Sequence, residues 1–255
     1  MNSKIIGIIP ARYASTRFPG KPLADVLGKP MIQRVYEQAM KALPFVFVAT
    51  DDKRIEEAVM GFNGKVIQTS TDHQSGTDRI AEAVRKITNR TDETYDIVVN
   101  IQGDEPFILP EQLKLLVSCF TEKTDTQIAT LVRKVTDNED IFNENYPKVV
   151  LNCRNEALYF SRSPIPFLRN KDRNTWATAH TYYKHLGIYA YRTDVLEAIT
   201  RLEPSSLELA ESLEQNRWLE NGYKITVAVT DQENLSVDTP EDLEKIIRQY
   251  GKEQK

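Results

Sequence analysis

Short apolar runs alternate with apolar positions at helical spacing through the first half of the chain. The segment KIIGIIP is followed by Met31, Ile32, Val35, Tyr36, Ala39 and Met40 on one helix face, then by FVFVAT and KVIQTS. Ile80, Val84 and Ile87 mark another helix face ahead of YDIVVNIQ. This exchange of strand and helix periods predicts an α/β fold. The strands are almost continuously hydrophobic, which predicts burial on both faces and a mostly parallel central sheet flanked by helices.

From about Ile128 the texture changes to TQIATLVRKV, KVVLNCRNEALYFSRSPIPF and HTYYKHLGIYAYR, which read as strand pairs. Asn152 to Asn155 suit a turn between Lys148–Leu151 and Ala157–Phe160, an antiparallel hairpin excursion from the parallel core. A helix is predicted across Leu207 to Leu219, then a strand KITVAVT. A final helix carries Leu243, Ile246, Ile247 and Tyr250, with Thr239 as N-cap, Pro240 in the first turn and Asp242 at N3. With no repeat, low-complexity tract or Gly/Ser linker, the reading is a single domain over residues 1–255, in which about 145–190 forms a hairpin-rich segment.

Composition narrows the class. Of 255 residues, 40% are hydrophobic and 27% charged, an ordinary globular balance that excludes disordered and collagenous chains. Against 37 acidic residues stand 33 basic ones, net −4, so nothing global attracts nucleic acid or a membrane surface. Any polyanion site must be local. Cys119 and Cys153 are too few for a disulfide framework or a zinc pattern and are expected as free thiols in a reducing compartment. The runs Ile5–Ala11 and Phe45–Ala49 fall far short of the ~20 residues of a membrane span, and the N-terminal run reads as a buried strand rather than a signal, so a cytoplasmic protein is expected.

In an open α/β sheet the binding crevice is built from loops at the carboxyl ends of the strands. PARYASTRFPGKPL, Pro10 to Leu23, brings Arg12, Arg17 and Lys21 together with Gly20, and no acidic residue precedes Asp25. Guanidinium groups bind phosphate oxygens bidentately and loop amides add donors, so the loop suits a triphosphate. It is neither a Walker A loop nor GxGxxG. In ATDD, Thr50 and Asp51 read as caps for a helix beginning near Lys53. In HQSGTDR, a turn with an N-cap at Ser75 to Asp78 and a flat-ligand site around Gly76, with Arg79 reading a base or phosphate, are equally open. NIQGDEPF has Gly103 for a sharp exit and sets Asp104 and Glu105 where a ligand would sit. Asp104 is the best candidate for a Mg²⁺ carboxylate. Asp238, ahead of the last helix, is a second carboxylate that a helix-dipole contact alone would also explain.

Read in order, PARYASTRFPGKPL, ATDD, HQSGTDR, NIQGDEP, YFSRSPIPF, HLGIYAYR, AESLEQ and VDTPEDLE resemble the 3-deoxy-manno-octulosonate cytidylyltransferases, or CMP-Kdo synthetases, over nearly the whole chain. Ser236 replaces a glycine expected before VDTPEDL, Asn216 replaces the more usual leucine after ESLEQ, and Asn170 to His180 matches no motif. The resemblance implies a nucleotide-diphospho-sugar transferase fold and the Mg²⁺-dependent reaction of CTP with Kdo to give CMP-Kdo and pyrophosphate, which activates Kdo for lipopolysaccharide synthesis. It implies that Arg12, Arg17 and Lys21 hold the triphosphate and that Asp104 and Asp238 hold the metal. By the same resemblance the Pro10–Ala11 backbone, Ser75, Gly76 and Arg79 form the cytosine and ribose pocket, with Gln102 near sugar or nucleotide. Arg162 and His185 would meet the sugar carboxylate, and Tyr189, Glu211 and Gln215 its hydroxyls. His73 and His180 are left outside direct contact. A homodimer is implied, pairing through the 145–190 segment with its exposed-looking Tyr159, Phe167, Trp176 and Tyr182. A related acidic sugar, 8-amino-Kdo or a sialic acid, and a non-catalytic nucleotide-binding scaffold are the alternatives.

Overall fold

The structure is a computed structural model that describes residues 3–14, 16–73, 75–232 and 235–251; of the motif residues, Ser15 and Gln74 lie outside these. Along the chain run β1 (Ile5–Ala11), β2 (Asp25–Val26), β3 (Lys29–Pro30), α1 (Met31–Met40), β4 (Val46–Thr50), α2 (Lys53–Gly61), β5 (Val66–Gln68), α3 (Gly76–Thr91), β6 (Ile97–Asn100) and α4 (Pro110–Glu122). There follow β7 (Ile128–Lys134), α5 (Asn138–Phe142), β8 (Lys148–Leu151), β9 (Ala157–Ser161), α6 (Trp176–Ala179), β10 (Tyr183–Arg192), α7 (Thr193–Ile199), α8 (Ser206–Glu211), α9 (Glu214–Glu220), β11 (Ile225–Thr230) and α10 (Pro240–Tyr250). Two compact units result, Met1–Lys114 with Asn234–Lys255, and Leu115–Glu233.

In the first unit β6, β1, β4 and β5 form a parallel sheet in that order. Its strands are the near-continuous apolar runs, and Ile6, Ile8, Ile9, Val48, Ala49, Val98 and Val99 are fully buried. Buried on both faces, they leave the loops after β1, β4 and β6 as the polar ends of the sheet. The predicted helix faces are the buried ones: Met31, Ile32, Val35, Tyr36 and Ala39 of α1, and Ile80, Val84 and Ile87 of α3. α10 has the predicted capping box of Thr239 and Asp242 with Pro240 at its start. Ile246 and Val237 bury against Val26 and Met31, which returns the last segment of the chain to this unit.

In the second unit β7 pairs parallel with β11 and antiparallel with β10, while β8 and β9 form the predicted hairpin. Asn155 turns that hairpin with φ 55° and donates from its main-chain N to the Asn152 carbonyl at 3.1 Å. Trp176 and Tyr182, expected at the surface, are 2% and 1% exposed and form a core with Val135 and Ile141; Phe167 alone of the four aromatics is strongly exposed, at 69%, and Tyr159 is half-buried. The helix expected across Leu207 to Leu219 is two helices. Ser212 takes φ 52° and the Ser212 and Leu213 amides turn back onto the Glu208 carbonyl, so α8 ends before α9 begins. Glu211 and Gln215 therefore do not share one continuous helix face.

The departure at Asn216 has a structural use. Its fully buried side chain accepts from the Phe160 main-chain N at 3.3 Å and donates to the Phe160 carbonyl at 3.0 Å, so it takes the place of a neighbouring strand for β9. Leucine here would leave two buried main-chain groups unpaired. Asn216→Leu is expected to lower stability by about 1–3 kcal/mol, read as a fall in the urea midpoint at constant slope. The departure at Ser236 is exposed and outside the positive-φ region, so no glycine is required there.

Candidate active site

β1, β4 and β6 deliver their loops to one polar end of the first unit. After β1 the chain turns through Gly20, at φ 74°, into a short 3₁₀ turn over Lys21–Leu23. That left-handed residue, cheap only for glycine, reverses the loop and sets Lys21 in place. After β6, Gly103 passes so close to β1 that a Cβ would lie 2.9 Å from the Pro10 carbonyl oxygen. No larger residue fits without moving main chain, and the close passage puts Asp104 beside the β1 loop.

Lys21 joins the two ends of the site. Its Nζ donates to Asp104 Oδ2 at 2.7 Å and to the Val237 carbonyl at 2.8 Å, and lies 3.7 Å from Asp238 Oδ1. The Val237 main-chain N donates back to the Asp104 carbonyl at 2.9 Å, and Arg17 Nη2 donates to Asp238 Oδ1 at 3.0 Å. Two carboxylates distant in sequence are thus gathered about one ammonium, an arrangement of hard oxygen donors already built around a cation. Mg²⁺ is ordinarily held by one or two carboxylates completed by phosphate oxygens and water, and this donor pair fits it. Glu105, expected beside Asp104, is buried instead, at 6% exposure.

A cavity of about 420 Å³ opens beside this cluster, within the ~300–1,000 Å³ of small-molecule sites. It is lined by Pro10, Ala11, Arg12, Arg17, Lys21, Gly76, Gln102 and Asp104 among others, which is every expected nucleotide residue except Ser75 and Arg79. Ser75 is the N-cap of α3, in a capping box with Asp78, and its carbonyl accepts from Arg12 Nη2 at 3.3 Å. Arg12 Nη2 also donates to the His73 carbonyl. The His73 ring pairs with Glu82, whose carboxyl is held at about 2 by Lys86, the Ser70 amide and His73 against the opposing pull of burial.

Arg79 is placed differently from the expectation. Its side chain is fully buried, with Nη2 donating to Asp51 Oδ2 at 2.6 Å and Nη1 to Thr69 Oγ1 at 2.5 Å, so only Nε is left unpartnered. With no exposed surface, the Arg79 side chain is not presented to the cavity to read a base. Asp51 in turn is not the helix cap: Asp52 caps α2, accepting from the Arg54 amide at 2.9 Å. No spacing rule separates these two adjacent aspartates. Only a buried arginine arriving from another helix does so.

The residues expected at a sugar lie in the second unit. β10 carries His185 and Tyr189, and its register against β7 slips between them, four β10 residues passing two of β7. Gly187, at φ 72°, sits within this bulge. Positions four apart in a regular strand are ~13 Å apart, yet these two rings stand 5.1 Å apart because the bulge gathers them on one side. His185 Nε2 accepts from the Gly187 main-chain N at 3.3 Å and lies 2.9 Å from Thr130 Oγ1, a hydroxyl that also reaches the Ile188 carbonyl at 2.7 Å. Packed on Phe160 and Tyr189, the imidazole is pushed by burial down to about 3. Burial thus disfavours the charged form of this ring, against the expectation of a cation for the sugar carboxylate.

The Tyr189 hydroxyl, pushed well above its usual range by burial and by Tyr191 and Glu214, has no hydrogen-bond partner. Gln215 Nε2 and Trp218 Nε1, both on α9, are likewise buried and unpaired. Buried donors without partners are costly and uncommon, and these three lie on neighbouring elements, with the Tyr189 and Trp218 rings 5.1 Å apart. Trp218 was invisible to sequence reasoning, because a tryptophan at helical spacing reads as core. Glu211 is already engaged: it accepts from Ser161 Oγ at 2.6 Å, Arg162 N at 2.9 Å and Tyr159 OH at 3.1 Å, which hold its carboxyl below the usual range although burial opposes them. Arg162 donates through Nε to the Glu211 carbonyl at 2.8 Å, through Nη1 to the Glu144 carbonyl at 3.0 Å and through Nη2 to the Ser212 carbonyl at 3.4 Å. Two of its five N–H groups remain for a ligand.

Comparison with known proteins agrees with this chemistry. A family model described as Cytidylyltransferase matches residues 6–225. A 3-deoxy-manno-octulosonate cytidylyltransferase of Parabacteroides distasonis is 61% identical over 248 residues, 96% of this chain and 97% of the relative. A solved structure of CMP:2-keto-3-deoxy-manno-octonic acid synthetase complexed with CTP superposes at a TM-score of 0.89 with 44% identity, over 98% of this chain and 100% of that one. At 18% identity and a TM-score of 0.61, a putative glucose-1-phosphate thymidylyltransferase of Bacillus anthracis, matched over 96% of this chain and 94% of its own, shares the fold alone. The α/β nucleotidyltransferase fold, the cation-rich loop after β1 and the acid pair on Lys21 thus belong to an enzyme, and the chain is a member of the cytidylyltransferase family, among the 3-deoxy-manno-octulosonate cytidylyltransferases.

Proposed function

We propose that the protein transfers CMP from CTP to the anomeric hydroxyl of Kdo, releasing pyrophosphate. The observation that carries this reading is the gathering of Asp104, Asp238, Arg17 and Lys21 at the mouth of a nucleotide-sized cavity. In the reaction the hydroxyl oxygen attacks the α-phosphorus in line and gives up its proton to water, a new P–O bond forms and the bond to pyrophosphate breaks. Catalysis is positioning and charge neutralisation. Arg12, Arg17 and Lys21 bind the triphosphate and the growing pyrophosphate charge. Asp104 and Asp238 would hold Mg²⁺, which when bound would supply Lewis-acid charge neutralisation and make the attacking hydroxyl more acidic.

The Pro10–Ala11 main chain, Gly76 and Gln102 take the nucleoside, while Ser75 and Arg79 support that pocket through Arg12 and through Asp51 and Thr69. Arg162 meets the sugar carboxylate. Tyr189 and Gln215 receive hydroxyls, with His185 beside Tyr189 and Glu211 orienting Arg162 and Ser161. Both units serve one cytidylyltransferase domain, as the family match runs through both. Among the described residues no helix is long and apolar enough to cross a membrane; activation of Kdo for lipopolysaccharide is assigned to the cytoplasm.

Pyrophosphate release with Mg²⁺, offering CTP, UTP, ATP and GTP against Kdo, 8-amino-Kdo and N-acetylneuraminate, tests the reading. Release confined to CTP with Kdo is expected; preference for another acid would reassign the substrate, and none with any pair would overturn the enzyme reading. The protein works as a homodimer, supported by the exposed Leu158, Phe167 and Leu209 of the second unit. Light scattering is expected to give twice the 29.2 kDa chain mass, and a single-chain mass at micromolar protein rules the dimer out.

A further inference from the structure

Lys148, at the start of β8, is fully buried. Its Nζ donates to the main-chain carbonyls of Asn143 at 2.8 Å and Arg162 at 2.6 Å, and among the described residues it makes no ion pair. Its cross-strand neighbour on β10, Lys184, contrasts with it: that ammonium reaches Asp140 Oδ2 at 3.2 Å and sits 4.5 Å from the Tyr146 ring centroid. An unpaired ammonium in the interior is expensive, and a methionine would fill similar space without that cost. The two carbonyls it holds explain its presence. One belongs to Arg162 itself. The other belongs to Asn143, next to Glu144, whose carbonyl accepts from Arg162 Nη1 at 3.0 Å. Lys148 thus fixes both the main chain of Arg162 and the segment that aims its guanidinium, while Glu211 fixes the Arg162 amide and Nε.

We propose that Lys148 is a positioning residue for recognition of the acidic sugar, its buried ammonium clamping the Asn143 and Arg162 carbonyls so that the Arg162 guanidinium is presented to the sugar carboxylate. This rests on the reading of Arg162 as the partner of that carboxylate. The charged groups around Lys148 are Glu211, Arg162, Asp140 and Glu144, with Lys184 across the ladder; burial is the main influence and pulls the amine down to about 8. The clamp therefore loosens above that pH.

The test measures KM for Kdo and for CTP separately in the wild type, Lys148→Met, Arg162→Ala and the double variant. Lys148→Met is expected to raise KM for Kdo at least about tenfold and leave that for CTP within about twofold, and the double variant to add little to Arg162→Ala, because the two act as one unit. A normal KM for Kdo in Lys148→Met, with a raised one in Arg162→Ala, overturns the inference and leaves the sugar reading standing. A normal KM for Kdo in Arg162→Ala overturns the reading beneath it. Equal increases for both substrates show a general scaffold role and also overturn the inference. If Lys148→Met does not fold, Lys148→Gln takes its place: KM for Kdo is expected to rise while that for CTP stays level, and an unchanged KM for Kdo refutes the clamp.

Discussion

Replacing Asp238 by asparagine is expected to lower Mg²⁺-dependent pyrophosphate release by roughly 10²–10³-fold or more, the scale on which removal of one well-placed charge-stabilising group is felt. The substitution is nearly isosteric and spares the local fold. The start of α10 is capped by Thr239 and Asp242, and among the described residues the Asp238 side chain pairs with Arg17 at 3.0 Å and Lys21 at 3.7 Å. Lys21 keeps its bonds to Asp104 and the Val237 carbonyl, so thermal unfolding and CTP binding measured by calorimetry should stay near wild type. Unchanged turnover in Asp238→Asn would remove this carboxylate from the mechanism. Lost turnover with lost folding would point to a structural role instead.

Lys21→Met carries the second large effect, and in two directions. The ammonium that would bind phosphate oxygens is gone, and kcat/KM for CTP is expected to fall by roughly 10–150-fold, the worth of a hydrogen bond to a charged group. Divalent metal should respond in the opposite sense. Lys21 neutralises Asp104 at 2.7 Å and approaches Asp238, and Arg17 pairs with the latter, so the carboxylates proposed for a metal and the cations proposed for a triphosphate occupy one another. On that proposal, nucleotide binding would draw the cations to phosphate and free the carboxylates. With Lys21 removed, Mn²⁺ binding to the nucleotide-free protein, followed by electron paramagnetic resonance, should tighten relative to wild type. Weaker Mn²⁺ binding in the variant would show that Lys21 does not compete for the acid pair.

Which parts of this site could be read in advance follows from which interactions are local. The loop from Pro10 to Leu23 is short, cationic and free of carboxylates, so its use for phosphate is written in neighbouring residues, and the cavity lining agrees with it. The Thr239, Pro240 and Asp242 cap works by the same logic, because a capping box closes within four residues. Asp51 and Asp52 mark the limit. Both are adequate caps by type and place, and the choice of Asp52 depends on Arg79 reaching Asp51 from α3, a contact across 28 positions. His185 shows the same limit from the other side: its neighbours in sequence leave it free to be a cation, and only packing against Phe160 and Tyr189 disfavours the charged form.

By itself the sequence determined the alternation of strands and helices, the mostly parallel core, the hairpin of the second unit and the clustering of three cations in one loop, because apolar period, turn chemistry and charge clustering are properties of neighbouring residues; Asp238 came into view only through the family resemblance. The tertiary structure alone decided that Lys21 stands between Asp104 and Asp238, that Arg79 works from inside the protein, that Ser212 breaks the helix between Glu211 and Gln215, and that the β10 bulge brings His185 to Tyr189. Each of these rests on packing and desolvation among groups far apart in the chain, and no pattern of adjacent residues records how such groups meet.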